Sequence, residues 1–129
     1  MKDFLSISDY SSEELQDLLD LAIKMKAEYF AGGNPPLAQG KVMAMIFQKP
    51  SLRTRVSFDM VMRHLGGDAL YLSPAEIGLG KREAISDVAR VLSGYVHVIM
   101  ARVFAHEHVT ELGEYASVPV INGLSDFNH

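Results

Sequence analysis

The stretch Val42-Met43-Ala44-Met45-Ile46-Phe47-Gln48-Lys49-Pro50-Ser51-Leu52-Arg53-Thr54-Arg55-Val56-Ser57-Phe58 passes from an apolar block, through a polar joint, into helical spacing. A short apolar run of this kind reads as a strand covered on both faces. Pro50 disfavours helix at Lys49 and is tolerated just before a helix begins. Ser51 then stands where a cap is needed, and apolar residues recur as Val56 with Met60 and as Phe58, Val61 and Leu65. Gly66-Gly67 supplies the stop. This is one strand followed by one helix.

The same alternation extends in both directions. Upstream, Ser11 and Glu14 form a capping-box pattern before Leu15, Leu18, Leu19, Ala22, Ile23 and Met25. That spacing predicts a helix running to about Phe30, broken by Gly32-Gly33-Asn34-Pro35-Pro36. Downstream, Ala69 to Leu72 reads as a strand and Ser73 to Gly80 as a loop. Ala84 to Leu92 reads as a helix, Val96 to Ala101 as a strand, Val109 to Tyr115 as a helix and Val118 to Ile121 as a strand. Such units imply an α/β fold: a four-stranded, mostly parallel sheet flanked by helices on both faces, a three-layer sandwich. Ligands of such sheets gather beyond the carboxyl ends of the strands, here after Phe47, Leu72, Ala101 and Ile121.

Composition narrows the partners. The 129 residues suit one compact domain. Apolar residues at 48% against 22% charged fit a globular chain rather than a disordered one. A net charge of -4 argues against nucleic acid as a partner, so any anion must be held by a few placed residues. No apolar run approaches the ~20 residues that span a bilayer, and no signal-peptide pattern opens the chain. With no cysteine, a cytosolic protein without disulfides is expected.

The chemistry concentrates where the first strand meets its helix. A helix start presents amide groups without partners and partial positive charge. Ser51 and Thr54 add hydroxyls there, and Arg53 and Arg55 add guanidiniums. Such an end suits a phosphate. The glycine-rich pattern of a nucleotide-binding loop is absent, so a small phosphate is the better ligand. Arg55 stands at helical distance from Asp59, so an ion pair worth roughly 0.3–0.5 kcal/mol is its expected role, leaving Arg53 as the ligand. His106-Glu107-His108 invites a metal reading, but two residues apart on a helix these rings diverge by about 200°. A solvated helix start is expected there, and His64 and His97 read as structural.

The segment Ser51-Leu52-Arg53-Thr54-Arg55-Val56-Ser57-Phe58 resembles the Ser-Thr-Arg-Thr-Arg-x-Ser-Phe signature of the aspartate and ornithine carbamoyltransferase family. The resemblance continues through Leu79-Gly80-Lys81-Arg82-Glu83, Asp87 to Ser93, Ile99-Met100-Ala101-Arg102 and Val118 to Asp126, with His129. It covers nearly the whole chain. It implies that residues 1–129 are a carbamoyl-phosphate-binding domain and that the family's second, amino-acid-binding domain is absent from this chain. Ser51, the backbone at Leu52, Arg53 and Thr54 would hold the phosphate of carbamoyl phosphate. Arg102 and His129 would address the carbamoyl oxygen. The catalytic set would be Arg53, Arg102 and His129, with no metal or organic cofactor. The family's trimers share sites between neighbours, so a homotrimer is expected, and Lys81 is a candidate for reaching a neighbouring subunit.

Phe47-Gln48-Lys49-Pro50 and Gly123-Leu124-Ser125-Asp126 resemble the ornithine branch, whereas Lys81 resembles the aspartate branch. The resemblance thus favours ornithine and leaves aspartate or another amine open. A non-catalytic phosphate-binding or trimer-forming module stands as a third reading. Two departures touch the site: Leu52 replaces the usual threonine, and Gly78 stands where many ornithine enzymes carry a glutamine.

Overall fold

A computed structural model describes residues 1–79, 81 and 83–128 of the chain. Four strands form one sheet: β1 (Val42–Phe47), β2 (Asp68–Leu72), β3 (Val98–Arg102) and β4 (Val120–Leu124). All three pairings are parallel and the order is β2-β1-β3-β4. The central position of β1 explains its composition. Side chains alternate between faces, and both faces here are covered. Ala44 and Ile46 join one buried cluster, Met43, Met45 and Phe47 the other.

Parallel neighbours need crossover connections, and helices supply them. The helix α1 (Ser12–Phe30) precedes the sheet, and α2 (Leu52–His64) carries the chain from β1 to β2. Two helices, α3 (Pro74–Ile77) and α4 (Ile85–Ser93), lead from β2 to β3, and α5 (His106–Tyr115) leads to β4. Helix α4 buries Ile85, Val88 and Ala89, and α5 buries Val109 and Leu112, all in the cluster with Ala44 and Ile46. Met62 of α2 closes the methionine-rich opposite face with Met43, Met45 and Met100. Unbranched thioethers suit that irregular gap.

Three features depart from the sequence reading. The segment after β2 is not simply a loop: Ser73 caps the short helix α3 in a full capping box with Glu76, and Pro74 opens it. Helix α1 has no fully buried residue, and Leu19 and Ile23 are exposed. The residues before it are used as well, because Phe4 pairs in parallel with Ile121 beside β4. Its amide donates to the Val120 carbonyl at 2.8 Å, and its carbonyl accepts from the Asn122 amide at 2.8 Å. That strap covers an otherwise open sheet edge. No helix among the described residues is long and apolar enough to cross a membrane.

Candidate functional site

Strand β1 sends the chain to β2 on one side, while β3 returns on its other side. The connections therefore diverge above β1 and β3, which opens a crevice at their carboxyl ends. Phe47 and Arg102 are register partners there, and the Gln48 amide donates to the Arg102 carbonyl at 2.9 Å. Across the crevice, Arg102 Nη1 donates to Thr54 Oγ1 at 2.9 Å. Thr54 is buried in the first turn of α2, and its own amide donates to Ser51 Oγ at 3.4 Å. Ser51, Thr54 and Arg102 are thus brought together. Leu52 is 76% exposed, so its side chain turns to solvent while its amide remains in the open helix end. Arg53 lies beside it, exposed, with no hydrogen bond or ion pair among the described residues.

Electrostatics make the cluster informative. Arg102 is half-buried, yet no carboxylate lies within salt-bridge distance of it among the described residues. Its Nε is buried and has no acceptor among the described residues. Leaving such a donor unsatisfied costs about 1–3 kcal/mol, more for a charged group. The site is therefore short of one anionic acceptor. The backbone beside it is shaped to match. Ala101 pairs with Asn122 but Arg102 pairs with Leu124, so β4 bulges at Gly123. A Cβ on Gly123 would lie 2.6 Å from Met100 Sδ. Leu124 takes φ +149°, held by its amide donating to Asn122 Oδ1 at 2.9 Å.

The remaining expectations divide. Arg55 does not pair with Asp59; its guanidinium lies 3.8 Å from the Tyr71 ring centroid on the neighbouring strand. Asp59 instead accepts from Arg63 Nε at 2.7 Å, and this interaction holds the Arg63 guanidinium above its usual pKa. Lys81 is exposed and lines a cleft of about 140 Å³ with Gln48, Pro74, Ile77, Leu79 and Phe104. The residues lining that cleft with it do not include Ser51, Leu52, Arg53, Thr54 or Arg102. Gly78 has φ +51° at the end of α3, a conformation that favours glycine over a residue with a side chain. His129 lies outside the described residues.

The histidine pair is not a merely solvated helix start. His106 Nδ1 lies 2.8 Å from Ser125 Oγ, and His108 Nδ1 lies 3.1 Å from Gln48 Nε2. Both rings are half-buried and serve as ties between loops. Among the described residues no group of His, Cys, Asp or Glu side chains could hold a metal ion. His97 and His64 have structural surroundings, the first accepting from the Val42 amide and the second packed on the Tyr29 ring. Sequence reasoning missed Gln48 as a contact residue, although a polar side chain directly after a fully buried strand end is a usable signal.

Fold and site together define an α/β domain with a cluster of donors at the sheet's switch point. The chain belongs to the family described as aspartate/ornithine carbamoyltransferase, carbamoyl-P binding domain, whose model matches residues 2–129. An ornithine carbamoyltransferase of Pyrococcus horikoshii is 55% identical over 128 residues, spanning 99% of this chain and 40% of that protein. The ornithine carbamoyltransferase of Methanocorpusculum labreanum is 53% identical over 128 residues, with 99% and 42% covered. Among solved structures, ornithine carbamoyltransferase from Pyrococcus furiosus superposes with a TM-score of 0.93 at 52% identity, covering 96% of this chain and 40% of that one. The chain thus spans about 40% of the length of these relatives.

Proposed function

We propose that this chain is the carbamoyl-phosphate-binding domain of an ornithine carbamoyltransferase. The observation that carries the reading is Arg102: a half-buried guanidinium roped to Thr54, with a buried Nε that no atom among the described residues satisfies. Carbamoyl phosphate offers an anionic phosphate and a carbonyl oxygen, the two kinds of acceptor that such a site suits. Its phosphate sits in the open first turn of α2, against Ser51, the Leu52 amide, Arg53 and Thr54. Its carbamoyl oxygen faces Arg102 and His129.

The chemistry follows from that placement. An amine nitrogen attacks the carbamoyl carbon and pushes negative charge onto the oxygen. Arg102 meets that charge with fixed donors, which are worth roughly 3–4 kcal/mol each in such settings. The carbon–oxygen bond to phosphate then breaks, and the cradle receives the departing anion. Carbamoyl phosphate is already activated, so arginine can take the Lewis-acid role and no redox or carrier cofactor is required.

Ornithine as the acceptor, with citrulline as product, is supported by the names of the relatives above and by the Gln48-Lys49-Pro50 and Gly123-to-Asp126 segments. Lys81 favours a second reading, an aspartate or other-amine enzyme. The acceptor-binding residues would belong to a second domain, and Lys81 on the exposed rim suits a homotrimer with shared sites. The cysteine-free sequence suits the cytoplasm.

Calorimetric titration with carbamoyl phosphate tests the cradle. Losing one charge-assisted hydrogen bond of about 1.5–3 kcal/mol should weaken the Arg53→Ala variant by at least about tenfold. Equal binding by variant and wild type would remove the assignment.

A further inference from the structure

Gln48 follows the last residue of β1 and is only partly buried, yet its side chain is fully committed. Its Oε1 accepts from the Phe104 amide at 2.8 Å. Its Nε2 donates to the Leu79 carbonyl at 3.2 Å and lies 3.1 Å from His108 Nδ1. The amide orientation is fixed from both ends, because a backbone N–H needs the oxygen and a backbone carbonyl needs the nitrogen. One Nε2 hydrogen goes to Leu79, and His108 Nδ1 lies within reach of both ends of the amide, 3.1 Å from Nε2 and 3.3 Å from Oε1, so the tautomer of the ring decides which end it bonds. The backbone amide of the same residue donates to the Arg102 carbonyl at 2.9 Å.

Four points on three separate segments therefore converge on Gln48. Arg102 and Phe104 bracket the end of β3, Leu79 belongs to the segment before Lys81, and His108 lies in the first turn of α5. We propose that Gln48 is a positioning residue: it fixes the β3–α5 connection, and hence the rise of Arg102 toward Thr54, and ties the Leu79 segment to the same rim. It touches no substrate atom in this scheme. The arrangement of donors toward the carbamoyl group depends on it because Arg102 sits at the strand's last residue, beside a bulge, where the ladder alone leaves its orientation loose. Both the inference and its test rest on the carbamoyl-phosphate reading above.

The experiment compares the full chain with Gln48→Met, Gln48→Glu and Arg53→Ala. It uses calorimetric titration with carbamoyl phosphate, and amide exchange followed residue by residue. Methionine fills the same space without the three side-chain links. The Gln48→Met variant should bind about tenfold more weakly and exchange the Phe104 amide faster, while Ile99 to Ala101 keep their protection. Glutamate keeps an acceptor for Phe104, so its Phe104 amide should stay protected.

Wild-type affinity in Gln48→Met, alongside weak binding by Arg53→Ala, would overturn the Gln48 role and leave the cradle standing. Loss of protection across Ile99 to Ala101 in Gln48→Met would also overturn it, since the effect would then be on the fold. If Arg53→Ala binds like wild type, the cradle reading fails and this inference fails with it.

Discussion

Thr54 holds Arg102 through one hydrogen bond, and it does so from the first turn of a helix that also presents free amides. In the proposed site two functions would meet in one hydroxyl, which would contact the phosphate and aim the neighbouring guanidinium. Thr54→Val keeps the shape and removes the oxygen. Carbamoyl phosphate affinity should fall by about tenfold, equivalent to ~1.4 kcal/mol, while Thr54→Ser should stay within about threefold of wild type. Calorimetric titration of both variants checks this, and equal losses in the two would show that packing rather than the hydroxyl matters. The residue scale also shows where local reading stops. Ser51 and Thr54 could be grouped from the local signal of a helix start, whereas Arg102 was named only through the family resemblance, because a lone arginine at a strand end carries no local signal of a ligand. The partner of Arg55 was not legible either. The rule for neighbours on one helix offered Asp59, but Tyr71 on β2 lies closer to the guanidinium, and Asp59 found Arg63 at the same spacing in the other direction.

At the scale of elements, periodicity placed helices and strands better than it read burial, since Leu19 and Ile23 of α1 and Val56, Met60 and Val61 of α2 are exposed. Strand β1 matched its apolar run because a central strand is buried on both faces along its length. Strand β3 was expected from Val96 and begins at Val98, because Val96 is core without belonging to the strand. Helix α3 was missed although Ser73, Pro74 and Glu76 spell a capped start; four residues carry too little periodicity to register. The strand order had no local signature, since it depends on contacts distant in sequence. The joint between α2 and β2 was legible, and its physical reason is sharper in the structure. A Cβ on Gly67 would lie 2.8 Å from the Ala38 carbonyl oxygen and 2.9 Å from that of Lys41. Backbone oxygens cannot swing aside as a side-chain tip can. Gly67→Ala should therefore destabilise by about 1–3 kcal/mol, the usual range for overpacking, read as a lower urea midpoint with unchanged slope. Gly94→Ala is the control, because its nearest neighbour, the Val91 oxygen, is 3.4 Å away.

For the whole molecule, two buried clusters flank one sheet, and the proposed carbamoyl-phosphate rim lies at one end of it. The sheet is sandwiched by α2 on one face and by α4 and α5 on the other, and both clusters are closed. Such a unit can fold by itself and hold a small anion. In the proposed reading the described residues gather donors for a phosphate and a carbamoyl oxygen on one rim. Nothing they place beside Arg102 would recognise an amino acid's carboxylate and free its side-chain amine for attack. Binding and turnover should therefore separate. The 129-residue chain is expected to release heat on titration with carbamoyl phosphate, and to form no citrulline when ornithine is added. Transfer should appear only when the chain is continuous with a second domain that supplies the acceptor site. Citrulline production by this chain alone, abolished by Arg53→Ala, would mean that the acceptor is held by residues 1–129 after all. The division of labour between two domains would then have to be abandoned, although the cradle would survive.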